Sequence, residues 1–109
     1  MLATVLFTDI VGSTQQAAAL GDRGWRELLE VHDELAGRLV ERWGGRLVKN
    51  TGDGILATFD GPGRAIGCAA SLRDELRAIG TRIRAGLHAG EVEPRGVEGE
   101  WQLFEVVGL

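Results

Sequence analysis

The stretch Arg46–Asp60, RLVKNTGDGILATFD, limits the fold more than any other, because it reads as a tight hairpin between two helix-length segments. Apolar Leu47–Val48 and Ile55–Phe59 flank Thr51-Gly52-Asp53-Gly54, a turn signature with an acidic residue at its tip. A carboxylate between two glycines has no bulky neighbours, a setting that suits close approach of a metal ion or a phosphate. Asp and Gly are also good turn formers, so the tip alone is equally well explained by turn chemistry.

The segments on either side fix the element order. Leu2–Thr8 (LATVLFT) is apolar at nearly every position, as expected of a central strand covered on both faces, and it ends at Asp9. Gly12-Ser13-Thr14 announces a helix with Ser13 or Thr14 as its cap. A short helical piece over Thr14–Leu20 should break at Gly21-Asp22. A long helix then runs to Trp43 on the apolar positions Trp25, Leu28, Leu29, Leu35, Leu39, Val40 and Trp43, and Gly44-Gly45 stops it.

After the hairpin, Asp60 is a candidate cap and Pro62 stands near the start of a helix over Arg64–Ile79. Its inward face is expected to be Ala65, Ile66, Ala69, Leu72, Leu76 and Ile79. Thr81–His88 alternates, with Ile83, Ala85 and Leu87 against Arg82, Arg84 and His88, so it should be a strand with one apolar face. Ala89–Glu100 reads as loop and Trp101–Val107 as a last strand.

The order β-α-β-β-α-β, plus a carboxy-terminal strand, is that of the α+β, ferredoxin-like (split βαβ) arrangement, in a single domain over residues 1–109. In that topology the third strand lies between the first and second and is antiparallel to both. The end of strand one, with Asp9, then meets the start of strand three, with Asp53. Two adjacent carboxylates repel unless a cation or a proton joins them, and a divalent metal shared with a phosphate is one resolution. The Ile10–Thr14 turn adds backbone N–H groups at a helix start, an arrangement suited to an anion.

Composition narrows the partners. The 44% hydrophobic and 26% charged content is that of an ordinary soluble domain, and the net charge of −4 argues against a nucleic-acid partner. No run has transmembrane length and the amino terminus lacks a signal-peptide pattern, so the expected location is cytoplasmic, away from membranes. The single cysteine, Cys68, excludes an internal disulfide and reads as core packing. His32 lacks a metal-ligand neighbour at suitable spacing, a lone His88 on the strand face opposite Ile83 and Leu87 reads as structural, and Arg82 and Arg84 read as a solvated or interface face rather than a phosphate site.

Three segments together resemble the catalytic domain of the class III nucleotidyl cyclases, closest to the bacterial, mycobacterial-type branch. They are Phe7-Thr8-Asp9-Ile10-Val11-Gly12-Ser13-Thr14, Lys49-Asn50-Thr51-Gly52-Asp53-Gly54 and Arg82–Val92. The resemblance implies that Asp9 and Asp53 bind Mg²⁺ or Mn²⁺, with the Ile10 carbonyl completing a metal site. It implies that Val11, Gly12, Ser13 and Thr14 cradle the triphosphate and that Lys49 reads adenine, making ATP the substrate and cyclic AMP with pyrophosphate the products. In the family each site forms between two subunits, which implies a homodimer, or a heterodimer with a full-length cyclase domain.

The resemblance breaks after Val92. Family members continue with residues that include a ribose-orienting asparagine and an arginine that stabilises the pentavalent phosphorus. Here Glu93-Pro94-Arg95-Gly96 leads to a segment, Val97–Phe104, that resembles the family's final strand, as an internal deletion would produce. The catalytic asparagine and arginine therefore have no match. Two functions stay open: an adenylyl cyclase-type domain weak by itself, or a non-catalytic nucleotide- and metal-binding or dimerising module. A phosphoaspartate phosphatase is disfavoured, because the position two residues after Asp9 is Val11.

Overall fold

The computed structural model describes residues 2–91. Its elements run β1 (Leu2–Ile10), α1 (Ser13–Arg42), β2 (Arg46–Asn50), β3 (Gly54–Phe59), α2 (Pro62–Ala78) and β4 (Ile83–Glu91). The sheet order is β2-β3-β1-β4, and β3 and β4 both pair antiparallel with β1. This is the expected ferredoxin-like α+β arrangement, with β3 inserted between β1 and β2. Residues 92–100 of the expected Ala89–Glu100 loop, the strand Trp101–Val107 and the deletion reading fall outside the described residues.

α1 breaks where the sequence indicated. Gly21 takes φ 76°, ψ 171°, which interrupts the helix and separates a first short segment from the long one. Gly44 ends it in the left-handed conformation (φ 76°), with its N–H donating to the Glu41 carbonyl.

Several local expectations need correction. Neither Ser13 nor Thr14 caps α1: Gly12 holds the cap position at φ 66°, and no side-chain hydrogen bond caps the helix. Asp60 does not cap α2 either, because Gly61 occupies that position and Pro62 begins the helix. On α2 the buried stripe is Ala65, Cys68, Ala69, Leu72 and Leu76, while Ile66 and Ile79 are exposed. The helix turns about 100° per residue, and small Cys68 and Ala69 let it lie close to the sheet where Ile66 was expected. β1 continues through Asp9 to Ile10 and β4 through Ala89 to Glu91, because the two pair from Leu2↔Glu91 to Ile10↔Ile83.

The main core lies between the helices and one sheet face. Leu6, Ile55, Ala57, Phe59 and Ala85 from the strands meet Leu35, Leu39, Val40, Leu72 and Leu76 from the helices. Burying each large aliphatic chain stabilises by about 1.5–3 kcal/mol relative to its exposed state. Strand alternation puts Ala3, Val5 and Phe7 on the opposite face, where Ala3, Val5 and Leu56 form a second buried cluster with Phe7 and Val48 against it. The apolarity of β1 on both sides thus serves two clusters. His32 is fully buried in α1, its Nδ1 2.9 Å from the Asp33 carboxylate, and Cys68 is core packing as expected. Among the described residues, no helix is long and apolar enough to cross a membrane.

Candidate functional site

The β1–β3 pairing brings the two aspartates to one end of the sheet. Asp9 is directly opposite Gly54, and the Ile10 N–H donates to the Asp53 carbonyl at 2.9 Å. The turn that carries Asp53 closes on itself through Thr51 N–H to the Gly54 carbonyl at 3.0 Å, with Gly52 at φ 95°. A β-carbon on Gly54 would lie 1.7 Å from the Thr8 carbonyl oxygen, so only glycine lets β3 approach β1 this closely.

Thr8 adds a second tie. Fully buried one residue before Asp9, its hydroxyl accepts a hydrogen bond from the Ile55 N–H at 3.2 Å. The sequence gives no signal for this role, since a threonine in an apolar strand suits β structure anyway.

Alternation places Asp9 on the sheet face away from the helices. Asp53 instead borders an open groove of about 500 Å³ between the hairpin turn and α1. Ser13 and Thr14 at the start of α1 and Trp25 and Leu29 further along line the same groove. Trp25 and Leu29, expected as plain core positions of the long helix, are only half-buried there.

The helix start has the character an anion needs: no side-chain cap and no acidic residue in the first turn. The Val11 N–H is already donated to the Arg82 carbonyl at 2.8 Å, so the amides facing outward begin beyond it. Lys49 is exposed on β2, opposite Leu56. A register shift between Leu47 and Lys49 turns Lys49 to the Leu56 face, the same face as Asp9.

One arginine gains a partner that its sequence reading lacked. Arg84 pairs across the strands with Asp9, and its Nε donates to Asp9 Oδ1 at 3.2 Å. It stays on a solvated face, as expected, and is in addition an ion-pair partner of a candidate ligand. Asp9 is 30% exposed and Arg84 69%, so the pair is wet and weak.

The donor chemistry fits a hard divalent cation. Among the described residues, no group of three or more His, Cys, Asp or Glu side chains could hold a metal ion. An ion at Asp9 and Asp53 would depend on backbone carbonyl, water and ligand oxygens as well. Mg²⁺ sites are commonly built this way, from one or two carboxylates completed by phosphate oxygens.

No family profile matches the chain. It is 35% identical over 107 residues to a serine/threonine-protein kinase, pkn2, of Myxococcus xanthus, covering 89% of this chain and 13% of that protein. It is 33% identical over 91 residues to an adenylate cyclase of Streptomyces coelicolor, covering 82% of this chain and 24% of that protein. Among solved structures, it superposes on the catalytic core of a rhodopsin-guanylyl cyclase with converted specificity, in complex with ATPαS. That match has a TM-score of 0.73 at 25% identity, over 82% of this chain and 57% of that one. The chain thus spans a quarter or less of the curated relatives it matches.

Proposed function

We propose that the chain is a class III nucleotidyl cyclase-type domain and forms the metal- and ATP-binding part of an adenylyl cyclase-type site, a reading supported by its 33% identity to an adenylate cyclase and its likeness to a solved cyclase core. The observation that carries this reading is the junction of β1 and β3, where Asp9 stands opposite Gly54 and the main chain of Asp53 is bonded to Ile10.

In this reading Asp9, Asp53 and the Ile10 carbonyl hold Mg²⁺ or Mn²⁺. The bound cation would neutralise phosphate charge and acidify the attacking ribose hydroxyl. The turn from Val11 through Gly12 to Ser13 and Thr14 receives the triphosphate at the amino end of α1, where N–H groups and the helix dipole favour an anion. Lys49 reads the base, and by family precedent it serves the site of a second copy, or of a full-length cyclase domain, rather than its own. The groove beside Asp53 supplies an apolar wall in Trp25 and Leu29.

Turnover by these 109 residues alone should be poor. They contain no match for the family's transition-state asparagine and arginine, and losing one such electrostatic donor costs about a hundredfold or more. The second reading is a non-catalytic nucleotide-binding or dimerising role on the same fold. Calorimetric titration of ATP in the presence of Mn²⁺ tests the binding reading. Binding by the chain and at least about tenfold weakening in Asp53→Asn support it, whereas equal affinity in the two sinks it. Brisk cyclic AMP production by the chain, abolished by Asp9→Ala, would overturn the expectation of poor turnover.

A further inference from the structure

We infer that Arg84 is a built-in counter-cation for Asp9, which a divalent metal must displace, so that it sets how tightly the site takes its ion. The inference rests on the reading of Asp9 and Asp53 as metal ligands.

Three features carry it. First, Asp9 and Arg84 are direct cross-strand neighbours in the β1–β4 ladder, so backbone pairing presents the guanidinium to the carboxylate. Second, the contact uses Nε on Oδ1 at 3.2 Å, the oxygen-rich group a cation would also seek. Third, both side chains are reached by solvent, Arg84 at 69% exposure, so the long side chain can swing away without breaking the strand.

A carboxylate oxygen cannot face a guanidinium and a divalent ion at the same distance without the two cations repelling. In the metal-free chain Arg84 balances the charge of Asp9 and supports the β1–β4 pairing. When an ion arrives, the same positive charge opposes it. Arg84 thus acts on the ion through Asp9, as a positioning residue with opposite effects on the empty and the loaded site.

That inversion of sign separates the inference from a purely structural role. Mn²⁺ affinity, measured by calorimetry without nucleotide, should rise about three- to tenfold in Arg84→Gln, from loss of one positive charge a few ångströms from the ion. The melting temperature of the metal-free variant should fall slightly, while its increase on adding Mn²⁺ should exceed that of the unsubstituted chain. Arg84→Lys keeps the charge and should bind Mn²⁺ nearly as the original does. Unchanged or weaker Mn²⁺ binding in Arg84→Gln overturns the inference, as does equal tightening in Arg84→Lys. Asp9→Asn keeps the two questions apart. If it binds Mn²⁺ like the original, the metal reading itself fails; if it loses Mn²⁺ while Arg84→Gln is unaffected, only the role of Arg84 does.

Discussion

Gly54→Ala should cost far more than an alanine at a hairpin glycine ordinarily does. The added methyl would lie 1.7 Å from the Thr8 carbonyl oxygen and 3.0 Å from the Asp9 Cα, both backbone atoms with no rotamer to escape into. Ordinary contact needs roughly 3.5 Å, so β1 and β3 would have to part by well over 1 Å from a strand spacing of about 4.8 Å. Separation of that size forfeits the hydrogen bonds around Asp9↔Gly54, worth about 1 kcal/mol each. It also loosens Ile10 and Ile55, which are 2% and 0% exposed. The expected loss is about 3–5 kcal/mol, a large share of the roughly 5–15 kcal/mol that holds a domain together.

Gly52→Ala in the same turn is the control. Gly52 has φ 95° but nothing within 4 Å of an added β-carbon, so only dihedral strain applies, roughly 1–2 kcal/mol. Urea unfolding followed by tryptophan fluorescence and circular dichroism measures both variants. If Gly54→Ala stays within 1 kcal/mol of the original, or if Gly52→Ala is the worse of the two, the close-approach argument is wrong.

Thr8→Val keeps the shape of the side chain but removes the acceptor for the Ile55 N–H. It should destabilise by about 1–2 kcal/mol, lowering the melting temperature by roughly 4–10 °C, and Thr8→Ser should recover most of that; a valine variant that melts with the original would remove the tie assigned to Thr8. Burial pushes the Cys68 thiol from 9.0 up to about 11. The unfolded thiol ionises from about pH 9 while the buried one keeps its proton, so stability is full below pH 9 and falls as pH climbs toward 11, by roughly 2 kcal/mol. Unfolding curves of the chain and of Cys68→Ala should therefore converge or cross in that window, and parallel curves would exclude a titrating Cys68.

What the sequence disclosed and what it hid divide along physical lines. The hairpin, the break at Gly21 and the placing of β3 beside β1 were legible because turn glycines and apolar periodicity act locally and the element order then selects the topology. The approach of the Asp9 and Asp53 main chains followed from that topology. Arg84 against Asp9 did not, because it depends on the register of two strands more than seventy residues apart in sequence. The face of Lys49 depends on a register shift in β2 that no residue type announces. Ile66 and Ile79 were misplaced because α2 packs through small residues, and an apolar count favours the larger side chain over Cys68 and Ala69. The caps were misplaced by one or two residues, since glycine at Gly12 and Gly61 can take the cap position without a side-chain bond.

In the proposed site Asp9 at the end of β1 and Asp53 in the β2–β3 turn share one ion. Counting bound Mn²⁺ by electron paramagnetic resonance in the chain, in Asp9→Asn and in Asp53→Asn tests it directly. The original chain should bind one or two ions in the presence of ATP, with tight binding lost on either substitution. Full Mn²⁺ occupancy in one of the two variants would show that the carboxylates do not act together and would contradict it.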